Sequence, residues 1–527
     1  MDAPQLNLLT DSLIRIRDAD GHLLRVSLPA LFVALGRDAV RDYPALRPHQ
    51  RHPWHALLVQ LAALALHQAG EVQPWGNEAD WRDALLALTP EHPDGSAFCL
   101  VAPHDKPAFL QAPVPGGRID GWKAIHTPDA LDMLVTSKNH DLKAERMRMA
   151  EADDWVFALT SLQTQEGFLG AGNYGVSRMN GGFSNRPAIG VVPNGGIGRR
   201  WSRDVAALGD ARAGLVDSYG MCAEGGGGLI WLPLWDGVGS LAFSALDPFY
   251  IEICRRIRFD RNEADLLTAY GAGTKSARID AAARKGVTGD AWMPVEEDKA
   301  MTLSSDGFNY ELAVELAWGA KYRRTIAQAL RDEDGTDGLA LLAQGVVRGQ
   351  GKTEGYHERR VPLSRKVVGL LRRGQTDLPA RLASEHVKAI ETMRRSVLRT
   401  ALFKLLEAGA DNIDFDRRTA KQQVEPFLKS FEVAEDARFF DDLNREIDIE
   451  SEDERHAERL RWLTGLAGRA EAVLRSAFRI GPQCGERRYR ARSRALSYFH
   501  GALRNGKNIP QLAQHLHSQP AAEEAAP

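Results

Sequence analysis

The run Gly345-Val346-Val347-Arg348-Gly349-Gln350-Gly351-Lys352-Thr353 comes nearest in spacing to a known chemistry. Gly-Lys-Thr closes a P-loop, where backbone N–H groups and a lysine cradle the phosphates of a nucleotide. A P-loop also needs a glycine five places earlier, and Val346 stands there, with Gly345 one residue too early. No clear apolar strand feeds the loop, and no run of four apolar residues ending in aspartate follows. A P-loop-like nucleotide hydrolase using Gly345–Thr353 is therefore an alternative reading. Arg348, Gln350, Lys352, His357, Arg359 and Arg360 crowd the same place. That composition suits a polar loop touching phosphate or bases, or a solvated charged loop.

Other constellations are weaker. His49, His52 and His55 recur at three-residue spacing, but Pro53 interrupts them and no carboxylate sits beside them. A helix-entry turn competes there with a metal site. No GxSxG and no HExxH occurs, and the pairs Asp153-Asp154 and Asp441-Asp442 read as solvated charge. No catalytic residue is assigned, and the expectation is a protein that is not an enzyme.

Glycine and arginine carry more. Gly167 to Arg200 holds glycines at 167, 170, 172, 175, 181, 182, 190, 195, 196 and 198, interleaved with Asn173, Tyr174, Arg178, Asn185 and Arg186. Such a stretch bends backbone where other residues do not and lets a ligand approach the main chain. Its amides and arginines point to a polar, anionic ligand; a surface loop between strands is the other reading. Arg487, Arg488, Arg490, Arg492, Arg494 and Arg504 load the last helical segment, with Tyr489, Tyr498 and Phe499 among them. Phosphate contact through Arg359, Arg360, Arg492 and Arg494 is one reading. Pairing of the last segment with the acidic stretch Asp441–Glu454 is the other.

The elements that must position these residues follow from periodicity. Alternation over 12–17 and 22–27, around Asp18-Ala19-Asp20-Gly21, predicts a β-hairpin. Residues 53–68 are apolar nearly all round, which predicts a buried central helix. Helices are also expected at 78–88 and 142–162, and strands at 229–233, 240–245 and 250–259. From about 378 glycine becomes sparse and apolar residues recur at three and four. Helical segments are expected at 380–407, 419–431, 434–480 with a break within 441–453, and 487–503. The fold class is α+β: a large mixed α/β N-terminal domain (1–375), an all-α C-terminal four-helix bundle (376–510) and a disordered tail (511–527).

Composition bounds the rest. A net charge of −3 over 527 residues carries no global nucleic-acid signal, so any polyanion site must be local. Cys99, Cys222, Cys254 and Cys484 are scattered without a CxxC pair, so neither a zinc ribbon nor a disulfide framework is indicated. The N-terminus lacks a signal-peptide layout and no apolar run is long enough to span a bilayer. A cytoplasmic protein without a membrane partner is expected.

Taken in order, NLLTDSLIRIR at the N-terminus, LLVQLAALAL, PAFLQ, LDMLVTSKNHD, the glycine stretch, ERR after a polar loop and RSRALSYFHGAL near the end resemble CasA, the large subunit of the type I-E CRISPR Cascade surveillance complex. The resemblance covers almost the whole chain, and it lies in the order of the motifs. It implies a non-catalytic subunit, without cofactor, beside the crRNA 5′ handle and other Cascade subunits. Such a subunit reads the protospacer-adjacent motif (PAM) in double-stranded DNA through the minor groove, helps open the duplex, and docks the Cas nuclease-helicase. Carried over by position, the minor-groove loop is Gly172-Asn173-Tyr174-Gly175 with Lys299, Lys275 being second. The wedge that splits the first base pairs is Gln350, Gly351, Lys352 and Thr353. The handle loop is Ser137, Lys138, Asn139, His140 and Asp141. Cys222 and Cys254 stand alone where some relatives cluster cysteines, so no zinc is expected. A helical-bundle adaptor touching only protein is the remaining alternative.

Overall fold

The computed structural model describes residues 4–134, 147, 149–181, 185–349 and 352–518, with backbone alone at 352 and 353. Ser137, Lys138, Asn139, His140 and Asp141, expected as the handle loop, and Gln350 and Gly351, expected in the wedge, lie outside the described residues. The chain forms two units: Met1–Phe308 with Ala320–Arg360, and Asn309–Gly319 with Val361–Pro527. The first mixes helix and strand; the second is almost wholly helical.

The mixed unit is built on the helix Arg51–Ala69, in which every side chain from His52 to Leu66 is buried. It packs against the helices Glu78–Ala87, Ala152–Gln165 and Ile197–Tyr219 and the strand Leu246–Ile251. Gln60, polar within this apolar helix, donates to the Tyr250 carbonyl at 2.8 Å. Burial without that acceptor would cost roughly 1–3 kcal/mol. The N-terminal hairpin forms as Ile14–Asp18 against Leu23–Val26, with Ile14 opposite Val26. Ile14 and Ile16 enter the core, as the alternation predicts.

The three histidines of the helix entrance do not converge on a metal. His49 bonds Asp132 at 2.9 Å and His55 bonds Asp204 at 2.8 Å. His52 lies edge-on to Trp292, centroids 5.4 Å apart, with neither ring nitrogen hydrogen-bonded among the described residues. Burial, reinforced by the Arg186 charge, holds its pKa well below the usual histidine value. Its folded-state pKa is lowered, so the unfolded chain binds the proton first as pH falls through about 6.5. Stability is therefore retained above that pH and lost below it. Between pH 7 and 5 the His52→Phe variant should lose less stability than the parent, by up to about 1.4 kcal/mol per pH unit, in denaturant titrations at successive pH values.

Three expectations about this unit are corrected. Of the helix predicted over 142–162, residues 142–146 and 148 lie outside the described residues, and the described helix is Ala152–Gln165, opened by a reciprocal Glu151–Asp154 capping box. Asp153 and Asp154 are not solvated: Arg15 pairs with them at 2.7 and 3.1 Å, and the Asp153 side chain is fully buried. The segment predicted over 250–259 is two strands, Leu246–Ile251 and Arg256–Arg261, because Glu252 to Arg255 turn inward and are buried.

The helical unit takes in more chain than 376–510. Tyr310–Trp318 belongs to it: Tyr310 stacks on Phe439 at 4.9 Å and its N–H donates to Asp436 at 2.6 Å. Arg365–Arg372 packs on Arg418–Asp448, and Pro510–Ser518 is a helix. The four long rods are Asp377–Thr392 continuing through a π-turn into Arg399–Leu406, then Arg418–Asp448, Glu452–Ser476 and Gly485–Arg504. The segments predicted at 419–431 and 434–440 are one helix, and the break falls at Ile449–Ser451, where Ser451 caps the next rod. Asp442 is not solvated either; it is buried and bonds Arg438 at 2.8 Å.

Candidate nucleic-acid interface

The Lys352-Thr353 pair of the Gly-Lys-Thr motif stands in a β-strand. Ala340–Gly349 and Lys352–Pro362 are adjacent strands joined across residues 350 and 351, and the first also pairs with Ala188–Val192, Ala340 opposite Val192. A P-loop needs a helix after its lysine so that the helix N-terminus faces the phosphates. Here a strand follows, and Gly345 sits inside the preceding one. The hydrolase reading of Gly345–Thr353 therefore fails on geometry. Lys352 and Thr353 open the returning strand, next to the turn.

Glycines 167 to 175 form a closed loop. Val176 N–H donates to the Glu166 carbonyl at 2.9 Å, Leu169 N–H to Asn173 at 2.9 Å, and Asn173 N–H to Gly170 at 3.0 Å. Arg255 clamps the loop from inside, bonding the Gly167 carbonyl at 3.0 Å and the Tyr174 carbonyl. A Cβ on Gly175 would lie 2.6 Å from the Gly167 carbonyl carbon, so only glycine lets the two legs meet. Gly172 has φ +87°, and its carbonyl accepts the Thr274 N–H at 3.1 Å. Asn173 is exposed and Tyr174 half-buried, its ring 5.7 Å from Phe168.

The arginines of the glycine stretch do not face outward for a polyanion. Arg186 donates to Asp290 at 2.7 Å and Arg178 lies 3.5 Å from the same carboxylate, all three side chains nearly fully buried. Glu252 completes the cluster, accepting the Ser177 N–H at 2.7 Å. Burial pushes the Asp290 carboxyl up, but the Arg186 and Arg178 charges outweigh it and hold the pKa below the ordinary carboxylate value. Asn185 is buried as well and bonds the Gln165 carbonyl at 3.1 Å. Farther on, 188–192 is strand and Ile197–Tyr219 is helix, its first N–H groups capped by Asp38.

One buried junction gathers the predicted segments. Arg348, at the end of the first hairpin strand, bonds both the Glu166 carboxylate and the Met133 carbonyl. Glu166 is the root of the glycine loop, and Met133 directly precedes the stretch that runs into 137–141. Arg348 is thus a buried organiser, not part of a basic rim.

No protein-family model and no curated protein matches the sequence. Solved structures do. CasA of Thermus thermophilus superposes with a TM-score of 0.63 over 95% of this chain and 99% of its own, at 15% identity. Cse1 proteins of Acidimicrobium ferrooxidans and Thermobifida fusca each give 0.61 over 96% of this chain and 99% of theirs, also at 15% identity. The chain has the CasA fold.

Within this CasA fold the two candidate lysines part company. Lys275 is exposed and follows Thr274, whose N–H holds Gly172, so it stands beside the glycine loop. Lys299 is on another small hairpin, Val295–Glu296 with Lys299–Ala300, 3.9 Å from Glu296. Arg359 is half-buried and donates to the Phe308 carbonyl at 3.3 Å, while Arg360 is exposed. In the helical unit Arg492 lies over the Phe478 ring at 4.9 Å, and Arg494 is exposed, 4.0 Å from Asp411. The arginine-laden helix Gly485–Arg504 does not pair with 441–454 among the described contacts. Several of those carboxylates are engaged nearer by: Glu446, for example, bonds His386 and Arg459 at 2.8 Å. No described helix is long and apolar enough to cross a membrane.

Sequence reasoning missed Arg255, Glu166 and Thr274. Arg348 and Glu166 are 182 residues apart, and no local pattern signals such a pair.

Proposed function

We propose that this protein is the non-catalytic large subunit of a type I-E Cascade complex, reading the PAM in double-stranded DNA and helping to open it. The single observation that carries this reading is the Arg348 junction. It ties the wedge hairpin, the glycine loop and the chain entering the handle loop to one buried group. A CasA fold over nearly the whole chain supports it.

In this reading Gly172, Asn173, Tyr174 and Gly175 bring backbone and one amide to the minor-groove floor. Its degenerate pattern needs close approach and few polar groups. Lys275 joins them in preference to Lys299, because Thr274 fixes it beside Gly172. Gln350, Gly351, Lys352 and Thr353 form the wedge that unstacks bases at a few kcal/mol per step; the strands Ala340–Gly349 and Lys352–Pro362 on either side of it belong to a three-stranded sheet, a suitable support. Ser137, Lys138, Asn139 and His140 meet the crRNA 5′ handle. Arg360 and Arg494 are the freer phosphate contacts; Arg359 and Arg492 are partly engaged within the protein. The partners are other Cascade subunits, crRNA, target duplex and the Cas nuclease-helicase, in the cytoplasm.

The test uses the assembled complex. Asn173→Ala should weaken binding to PAM-bearing duplex about tenfold, the worth of one good groove contact at about 1.4 kcal/mol. Lys275→Ala should weaken it by a similar or smaller factor that shrinks with added salt. A pre-opened target should lose much less affinity, since pairing with the guide then supplies the energy. Equal losses on duplex and pre-opened target would remove the loop from PAM reading.

A further inference from the structure

The mixed unit contains a cavity of about 480 Å³ that the nucleic-acid reading touches only at its rim residue Arg360. It opens between the entrance of the central helix, the start of Ile197–Tyr219 and the root of the long hairpin. Leu35, Leu58, Val192 and Leu342 form its apolar walls. Its charged lining is unbalanced: Arg41, Arg51, Arg200 and Arg360 against Asp42 and Glu358, four cations to two anions. Asp42 is already drawn outward by Arg17 at 3.2 Å, and Arg51 meets Glu358 only at 4.0 Å.

Four polar atoms in this lining have no hydrogen-bond partner among the described residues, one each on Tyr43, Trp54, Arg200 and Trp201, and the last two bear on the site. The Trp201 side chain is completely buried and its indole N–H bonds nothing among the described residues. The Arg200 side chain is 14% exposed, and its buried Nε has no hydrogen-bond acceptor among them. Its nearest carboxylate oxygen, on Asp204, is 4.0 Å away and is already bonded by His55, while Arg203 holds the other oxygen of the same group. Leaving such donors unsatisfied costs roughly 1–3 kcal/mol each, more when charged. Burial lowers the Arg200 pKa, so an anion placed there would recover part of that cost.

An occupant must therefore supply several acceptor atoms, carry negative charge and present an apolar body. Guanidinium forks match phosphate oxygens in pairs. A cavity of this volume falls in the range that holds a small organic ligand. Gln344 and Glu358 add acceptors at the same wall for a ring amino group. We propose that this cavity binds a nucleoside monophosphate group, its phosphate on Arg200, Arg51 and Arg360 and its sugar and base against the apolar walls. The group is either a free nucleotide or the 5′-phosphorylated end of a strand. The proposal shares Arg360 with the phosphate contacts proposed above but does not rest on the PAM reading, because Arg51 and Arg200 play no part there.

The experiment is calorimetric titration of the full chain with AMP, adenosine, and a short single-stranded DNA with or without a 5′-phosphate. AMP or the phosphorylated oligonucleotide should bind at least tenfold more tightly than its unphosphorylated counterpart. The Arg51→Ala variant, altered only at an exposed position, should lose at least tenfold with an unchanged melting temperature. Tighter binding of AMP identifies a free nucleotide as the source; tighter binding of the phosphorylated oligonucleotide identifies a strand end. Binding of neither at millimolar concentration, equal binding without the phosphate, or equal binding by the variant would each overturn the proposal.

Discussion

Asp290→Ala should destabilise the mixed unit by about 3–5 kcal/mol, the usual cost of removing one partner from a buried ion cluster. The substitution deletes the carboxylate that Arg186 bonds at 2.7 Å and that lies 3.5 Å from Arg178. It also frees the Trp292 N–H, held by the same carboxylate at 2.9 Å. Glu252 is not a substitute: it is 3.9 Å from Arg178, and burial raises its pKa despite that cation. Two guanidiniums with nearly fully buried side chains would then share one poorly placed anion. Asp290→Asn should recover part of the loss, since an amide oxygen can still accept the Trp292 N–H but brings no charge. Urea unfolding of the three proteins at neutral pH measures the series. A loss below about 1 kcal/mol for the alanine variant, within the range of ordinary surface changes, would show that the cluster is not closed as described.

The same carboxylate links stability to acid. Its folded-state pKa lies below the ordinary value, so the unfolded chain takes up the proton first as pH falls. Its contribution is present above pH about 4 and is lost below that.

The second large effect concerns the loop itself. Gly175→Ala should lower affinity for PAM-bearing duplex about a hundredfold. The reason is steric: the added Cβ would sit 2.6 to 2.8 Å from three backbone atoms of Gly167 and Phe168. Backbone cannot swing aside as a flexible side chain can. Either the legs separate, breaking the Arg255 clamp, or the loop shifts as a body. Overpacking of this kind costs typically 1–3 kcal/mol, and binding that needs the intact loop falls tenfold for each 1.4 kcal/mol. Gly175 thus acts by shaping the loop, whereas Asn173 acts by contact. The two are separable: hydrogen exchange around 167–176 should rise in Gly175→Ala and stay unchanged in Asn173→Ala. Duplex binding by Gly175→Ala within threefold of the parent would mean that the loop's shape is immaterial to recognition.

Much of the fold was legible because it is written locally. The central helix is apolar on all sides, and such a segment has no stable place except inside a core. The N-terminal hairpin alternates with period two around a turn, and the C-terminal rods repeat at three and four. Their boundaries were less legible. The expected break after 431 vanishes because Glu432 and Val433 continue one helix, and Tyr310–Trp318 joins the helical unit through contacts made more than a hundred residues away. The long hairpin was missed because its first strand, Ala340–Gly349, carries glycine, glutamine and arginine among its apolar residues. Gln344 and Arg348 are nonetheless buried, satisfied by Tyr356, Glu358, Glu166 and Met133.

The candidate interface divides along the same line. By itself the sequence determined that no catalytic or zinc motif is present, that glycine is concentrated where backbone must bend, and which chain segments resemble a CasA protein. Those are statements about residue type and order, and residue type and order are all that a sequence contains. Only the tertiary structure decided which polar groups are spent inside. Arg178, Arg186 and Arg348 look like polyanion contacts in the sequence, yet each is buried against a carboxylate from a distant part of the chain. Lys275 gained its place beside Gly172 through a single backbone bond from Thr274. A charge is available to a ligand only when the fold has left it without a closer partner, and that partner can lie anywhere in the chain.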